Sequence, residues 1–420
     1  MFAKISPAHA GAPRRAFSFL NSVSPVAAAV FLFCLIASLA PPARATSQDW
    51  RDSGYTDGNW NVANNWYENG VPGAVGTLDT NKDMASFDSA HNLTVTVDSA
   101  RSIADIIFDT SFAGAFTLQG GNLYVSFSGY IYIKSGVANS ETVNSAIFLP
   151  STGGTLYTFI DSSTNSGVSL NIGGAVTGRQ TAGNTGTLML DGVGNGSVSG
   201  VISDGSAGGK VAVNKTSTGT WTMAGANTYT GATQISAGTL LINGNQSSAT
   251  GGVTVTAAGS TLGGTGTIGG AVMINGGAKM TGATVGTTGT LTLQSTATFS
   301  GATGSLATYL VDLSSSQSDK LVIAGTLNLN GTSDQIQFQG TSGASSYTLA
   351  TYSSVVGTFD SVSGMPSGYK LDYGATALTL TEVPEPCTVP AGALALLVLG
   401  YSTLRKKLGG LRNLRLDLQR

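Results

Sequence analysis

Two cysteines and two histidines are all that this chain of 420 residues contains. That scarcity excludes a disulfide scaffold, most zinc sites and any catalyst built on several imidazoles. Charge is scarce as well, since Lys+Arg (20) and Asp+Glu (22) make up only 10% of the residues. An ordinary globular surface carries well over twice that share. Amphipathic stretches of helical period and globular length are missing too. Apolar residues are not missing: they amount to 41%, which a disordered chain would lack. Glycine is abundant at 58 residues, about twice its usual share. Such a chain folds, and it turns often.

Both termini read as addresses. Lys4, Arg14 and Arg15 precede an apolar run from Val26 to Ala40, and Pro41-Pro42 leads to Ala43-Arg44-Ala45. A charged region, a hydrophobic region of this length and an A-x-A site predict a signal peptide over residues 1–45, cut by signal peptidase after Ala45. Ala43 and Ala45 are the small residues that define the cut. A transmembrane helix is the alternative, but the run is short for spanning. Arg14-Arg15-Ala16-Phe17 adds a weak twin-arginine feature, and Cys34 fills the hydrophobic region.

Residues 381–420 open with Val383-Pro384-Glu385-Pro386, continue as an apolar segment from Ala391 to Leu404, and end in Arg405-Lys406-Lys407 with Arg412, Arg415 and Arg420 beyond. A rigid break, a short apolar helix and a basic cluster form a stop-transfer arrangement with the basic end held in the cytoplasm. This tail resembles the PEP-CTERM sorting signal of Gram-negative bacteria that make exopolysaccharide. The resemblance implies that Pro384, Glu385 and Pro386 are the site read by an exosortase, and that the chain is anchored in the inner membrane only transiently. Cys387 stands where Ser or Ala is more familiar. A permanent single-span anchor is the alternative reading.

Between the addresses, Thr46 to Leu380 holds seventeen Asp and two Glu against seven Lys and three Arg, a net charge near −9. A body this acidic and poor in cations has no footprint for nucleic acid. It contains no cysteine, which suits an oxidising exterior.

From about residue 91 to 380, runs of four to six residues rich in Val, Ile, Leu and Thr alternate with Gly, Asn and Ser, as at Leu93 to Val97, Ile103 to Phe108 and Tyr130 to Ile133. Period-two alternation between turn residues predicts strands. A Gly-Thr step opens such runs at Gly186, Gly219, Gly238, Gly266, Gly289 and Gly325. Recurrence on this scale predicts an all-β fold, a parallel β-helix (β-solenoid) of about ten to fourteen coils stacked at roughly 4.8 Å. Gly219 to Gly244, from Gly219-Thr220-Trp221-Thr222-Met223 through Gly231-Ala232-Thr233 to Gly238-Thr239-Leu240-Leu241-Ile242-Asn243-Gly244, resembles the autotransporter-associated β-strand repeat. That resemblance extends over roughly 200–380 and implies a surface-exposed β-helical passenger. After Leu380 the sorting tail, rather than the family's outer-membrane barrel, is the expected continuation.

Several constellations invite chemistry. Gly264-Thr265-Gly266-Thr267-Ile268-Gly269 fits G-x-G-x-x-G, but that pattern binds dinucleotides only between a strand and a helix, and a strand is expected next. His91 is the only histidine after signal removal and no G-x-S-x-G elbow accompanies it, so a solvated loop residue is expected. Asp98, Asp105 and Asp109 would be gathered on neighbouring coils if stacking aligned them. Asp191-Gly192-Val193-Gly194-Asn195-Gly196 lacks the acidic positions of a calcium loop. Trp50, Trp60 and Trp66 crowd the stretch 46–90. They read as a cap on the open end of the solenoid or, alternatively, as rings that stack on sugars.

These readings converge on an exported, surface-anchored or secreted structural or adhesive β-solenoid of the bacterial extracellular matrix, sorted by an exosortase. No catalytic residue, cofactor or metal is expected. Signal peptidase and exosortase are the expected processing partners, with exopolysaccharide as a further one and the inner membrane as a transient one; nucleic acid is not. A polysaccharide lyase or hydrolase on the same scaffold is the alternative, to be recognised by a groove gathering carboxylates with Lys or Arg.

Overall fold

The computed structural model describes residues 47–51, 58–67, 70–77, 79–88, 93–109, 114–151, 154, 156–384 and 400–406. Residues 1–46, His91 and residues 385–399 lie outside the described residues, so the signal peptide, its Ala43 and Ala45, and most of the sorting motif do too.

The strands between Ser47 and Glu382 stack into a succession of short ladders on three faces. One face is a 13-stranded sheet running from Ser47–Asp49 to Ser354–Gly357, and the second is a 12-stranded sheet from Leu93–Val97 to Ser361–Ser363. The third face is split into a six-stranded sheet that ends at Ile202–Ser203 and a seven-stranded sheet that begins at Asn245–Gln246. Pairing along the first two faces is parallel throughout, as a solenoid requires. The parallel β-helix expected from the glycine-punctuated runs is the fold.

Register explains the alternation. In Leu156–Asp161 every second residue is buried, and the buried residues stack on those of neighbouring coils. On the first face Ile131, Phe159, Leu190, Lys215, Ile235, Val255 and Ile274 form one inward column. On the second face Glu141, Leu170, Gly196, Trp221, Leu240 and Leu262 form another. Successive partners on the first face lie 31 residues apart between Phe159 and Leu190, but only 20 between Lys215 and Ile235 and 20 again to Val255. The coils tighten where the Gly-Thr recurrences crowd.

Tight corners need glycine for two separate reasons. Gly192 turns the chain with φ of 100°, a left-handed conformation that side chains oppose. Gly219 has ordinary φ, yet a Cβ there would sit 1.9 Å from the Gly194 carbonyl oxygen of the preceding coil. Apart from Gly186, which lies within Thr185–Asp191 against the Gln180 side chain, the Gly-Thr steps mark close approaches just before a strand. Thr220–Met223, Thr239–Ile242, Thr267–Ile268, Thr290–Leu293 and Thr326–Leu329 all begin at the threonine.

Where the third face is split, side chains replace a strand. Asn227 Oδ1 accepts the Ile202 N–H at 2.8 Å while the Thr228 N–H reaches the Ile202 carbonyl at 2.9 Å. Tyr229, buried beside them, shares a 2.6 Å hydrogen bond with Thr233 Oγ1.

The two ends depart from the uniform parallel stack. The solenoid does not begin near residue 91: Ser47–Asp49 pairs in parallel with Met84–Phe87, which pairs with Asp105–Phe108. The stretch 46–90 therefore supplies strands to the first face, in Ser47–Asp49, too short for alternation, and in Met84–Phe87, where Ala85, Ser86 and Phe87 are all buried. At the other end Ala377–Glu382 runs antiparallel to both Ser346–Thr351 and Tyr369–Tyr373. Among the described residues α-helix is found only at 400–406, all exposed, and no helix is long and apolar enough to cross a membrane. Residues 391–399 of the expected apolar helix lie outside the description.

Candidate functional site

The buried ionisable groups are the first place to look for chemistry, because perturbed pKa values cluster at functional sites. Lys215 is fully buried in the inward column, and its Nζ donates to the carbonyls of Thr216, Ser217 (2.8 Å) and Ala237 (3.2 Å). Burial pulls its pKa down to about 8, against the opposing pull of Asp191. Glu141 stands in the second inward column, where Oε2 accepts the Phe116 N–H at 2.7 Å. Burial pushes its carboxyl up to about 8, which the Phe116 bond only partly offsets.

The buried aspartates follow the same rule. Asp319 Oδ2 accepts from Thr281 Oγ1 (2.7 Å) and Asp312 N (3.0 Å), and Oδ1 accepts the Gly289 N–H (2.9 Å). Asp161 and Asp334 bind backbone N–H groups of Ser163 and Asp360 at 2.8 and 2.9 Å. Burial raises all three to about 6. These groups satisfy backbone at corners that the ladders leave open, and none faces solvent.

Outward faces carry a different pattern. On the second face Thr94, Thr117, Thr142, Asn171, Ser197 and Thr222 are successive register partners. Ser197 Oγ donates to Asn171 Oδ1 at 2.8 Å along that ladder. On the first face Thr158, Met189, Asn214, Gln234, Thr254 and Met273 form an outward row without a charge. The composition's missing charge is replaced by hydroxyls and amides at one position per coil.

The third face holds an open depression of about 400 Å³ between the turns at 286–289, 314–318 and 343–346. Its floor includes Thr290 and Lys320, register partners on adjacent coils, and its rim includes Ser316, Gln317, Ser318 and Ser346. No carboxylate lines it among the described residues. The walls are tied from behind. Tyr347, 3% exposed, accepts the Gly343 and Ala344 N–H groups at 2.7 and 3.0 Å and donates to the Ser314 carbonyl at 2.8 Å. The Gly289 wall hangs on Asp319.

Residues 213–242 match the family model of the passenger-associated-transport-repeat. No curated protein matches the chain. The matched segment lies where the coils tighten, and it carries Lys215, Trp221 and the split third face. Repeat and fold together fit a secreted or surface β-helix protein.

The residues singled out in the sequence are distributed as follows. Trp50, Trp60 and Trp66 are fully buried, with ring centroids 4.8 Å apart for Trp50 and Trp66 and 5.1 Å for Trp60 and Trp66, and all three pack on Phe87. No indole face of the three is open to a sugar, so stacking gives way to packing at the first coil. The segment also covers the edge of the second face: Trp60 N–H bonds the Thr96 carbonyl at 2.9 Å, and Thr96 N–H the Gly58 carbonyl at 2.6 Å. Asp98, Asp105 and Asp109 are not drawn into one site. Asp98 pairs with Arg101 at 3.1 Å, Asp109 pairs with Lys134, and buried Asp105 accepts the Tyr130 N–H at 3.2 Å.

Gly264 to Gly269 follows the strand Thr261–Gly263 and itself contains the strand Thr267–Ile268, without the helix that a dinucleotide needs. Asp191 accepts hydroxyls from Thr216 (2.9 Å) and Ser217 at a glycine corner. Among the described residues no group of three His, Cys, Asp or Glu is placed to hold a metal. Pro384 is the last described residue of the body, while Glu385, Pro386 and His91 lie outside it. Sequence reading missed the depression at Lys320, because its lining comes from turns far apart in the chain.

Proposed function

We propose that the chain is an exported β-solenoid with a structural or adhesive role in the extracellular matrix of a Gram-negative bacterium. In this reading signal peptidase releases the body after Ala45, and an exosortase acting at Pro384-Glu385-Pro386 ends its transient stay in the inner membrane. The observation that carries it is the parallel solenoid bearing the matched repeat at 213–242. The outward rows of Thr, Ser, Asn and Gln support it, because they offer many weak polar contacts in a regular array rather than one reactive centre. The tie of the buried acids to backbone N–H groups supports a non-enzymatic role over lyase or hydrolase chemistry, which needs carboxylates in an open groove.

The test is to incubate the purified body with the producer's own exopolysaccharide and to score binding and depolymerisation together. Binding without loss of polymer length is expected. Shortening of the polymer would establish the enzyme instead, and neither effect would remove the polysaccharide partner.

A further inference from the structure

The depression on the third face gathers the hydroxyls and amides typical of this surface around one lysine. Among the described residues the hydroxyls of Thr290, Ser316, Ser318, Ser346 and Thr348 make no hydrogen bond within the protein, and Lys320 makes no ion pair. Arg101, Lys134, Arg179 and Lys370 are each paired with an aspartate, and of the lysines without an ion pair it is Lys320 that lies in this hollow. An unpaired ammonium in an acid-free hollow, on a body of net charge near −9, is a local attractor for an anion.

We infer that this depression is a binding subsite for a carboxylate-bearing sugar within an acidic polysaccharide, with Lys320 holding the carboxylate and the surrounding hydroxyls and Gln317 holding the ring hydroxyls. The inference rests on the matrix role proposed above and names the ligand class for it. Three features carry it. The lining is nearly all alcohol and amide, which recognises a polyol and rejects an apolar peptide. The single cation matches one negative charge per sugar and falls short of the clustered cations or amide nest that phosphate requires. The walls are held in place without ligand, by Tyr347 from one side and Asp319 beneath the other, so little ordering is left for binding to supply. Beside the hollow, Thr267, Thr292, Val322 and Thr351 continue along the axis in register, a track for the next units of an extended chain.

The experiment is affinity electrophoresis of the full chain through gels containing polygalacturonate or dextran. Retardation by polygalacturonate, weakening with added salt, and free passage through dextran are expected. Lys320→Gln should cut the affinity for polygalacturonate about tenfold or more, as expected for loss of a charge-assisted contact. Lys320→Arg should keep most of it. The residue is partly exposed, so both variants should melt like the parent, and a melt run alongside checks this. Passage through both gels, equal retardation by both, or retardation that Lys320→Gln leaves unchanged would overturn the subsite. Each of those outcomes leaves the matrix role standing, since that role is read from the producer's own polymer and would fail there separately.

Discussion

Gly196 and Trp221 are register partners on adjacent coils, and the indole of Trp221 occupies the space that a side chain at Gly196 would need. A Cβ on Gly196 would lie 2.5 Å from the six-membered ring. The ring is fixed on its other side by a 3.1 Å bond from Nε1 to the Asp191 carbonyl and lies 6.4 Å, centroid to centroid, from Phe159. The one glycine in that inward column is therefore the counterpart of its one tryptophan.

Changing Gly196→Ala should destabilise the body by roughly 2–4 kcal/mol, since a buried rigid ring cannot yield. In a Trp221→Leu background, where the ring is gone, the same change should cost far less. Urea melts of the two single variants and the double variant measure the coupling. Additive losses would show that the two residues do not share this space.

Acidity should stabilise the protein. Glu141 is raised from 4.5 to about 8, and Asp161, Asp319 and Asp334 from 3.8 to about 6, all through burial. Each folded pKa lies above the unfolded one, so the stabilisation is complete below about pH 4 and is lost as pH rises through 6 and then 8. Melting temperature should fall between pH 5 and pH 8.5. Glu141→Gln should flatten the upper part of that slope, a contribution on the order of 3 kcal/mol. A melting temperature that climbs over this range would contradict the assignment.

Lys215 should act in the opposite sense at higher pH. Its folded pKa of about 8 lies below the unfolded 10.5, so the unfolded chain binds more protons between those values and stability should rise with pH across that window. Lys215→Met should remove this rise. At pH 7 it should also cost about 1–3 kcal/mol, because the carbonyls of Thr216, Ser217 and Ala237 lose their donor. Hydrogen exchange quickening around 216–217 and 237–238 would locate the loss. Unchanged exchange there would argue that the ammonium does not brace the corner.

The processing reading has its own test. With an epitope before Val383, Glu385→Ala should trap an uncut precursor in the membrane fraction while the released wild-type form begins at Thr46. Identical size and distribution in both strains would mean a permanent anchor, and intact peptides spanning Arg14-Arg15 on the exported form would refute the signal.

Much of the fold was legible because period-two alternation marks many strands from Leu93 onward, such as Leu156–Asp161 and Lys210–Lys215, although Asp105–Phe108 and Ala307–Leu313 are buried at every position, and because Gly-Thr steps mark close approaches. The first coil was not legible. Ser47–Asp49 is too short to show alternation, so its pairing with Met84–Phe87 is set by the Trp cluster packed on Phe87. Lys215 and Glu141 escaped notice for a related reason. A charged residue at an inward position looks like a break in the pattern, and only the corner carbonyls and the Phe116 N–H reveal what it satisfies. The Lys320 depression depends on three turns meeting, which coil lengths of irregular size conceal.

The uniform spacing from Lys215 to Ile235 to Val255 makes the repeat a unit of measure. Each such coil touches only the one before and the one after, so a further stretch of about twenty residues inserted between Ile235 and Val255 would renew the contacts it interrupts. Length along the axis is then a quantity that gene duplication can adjust in whole steps. How far the distal end reaches becomes a heritable setting, separate from the chemistry of either face.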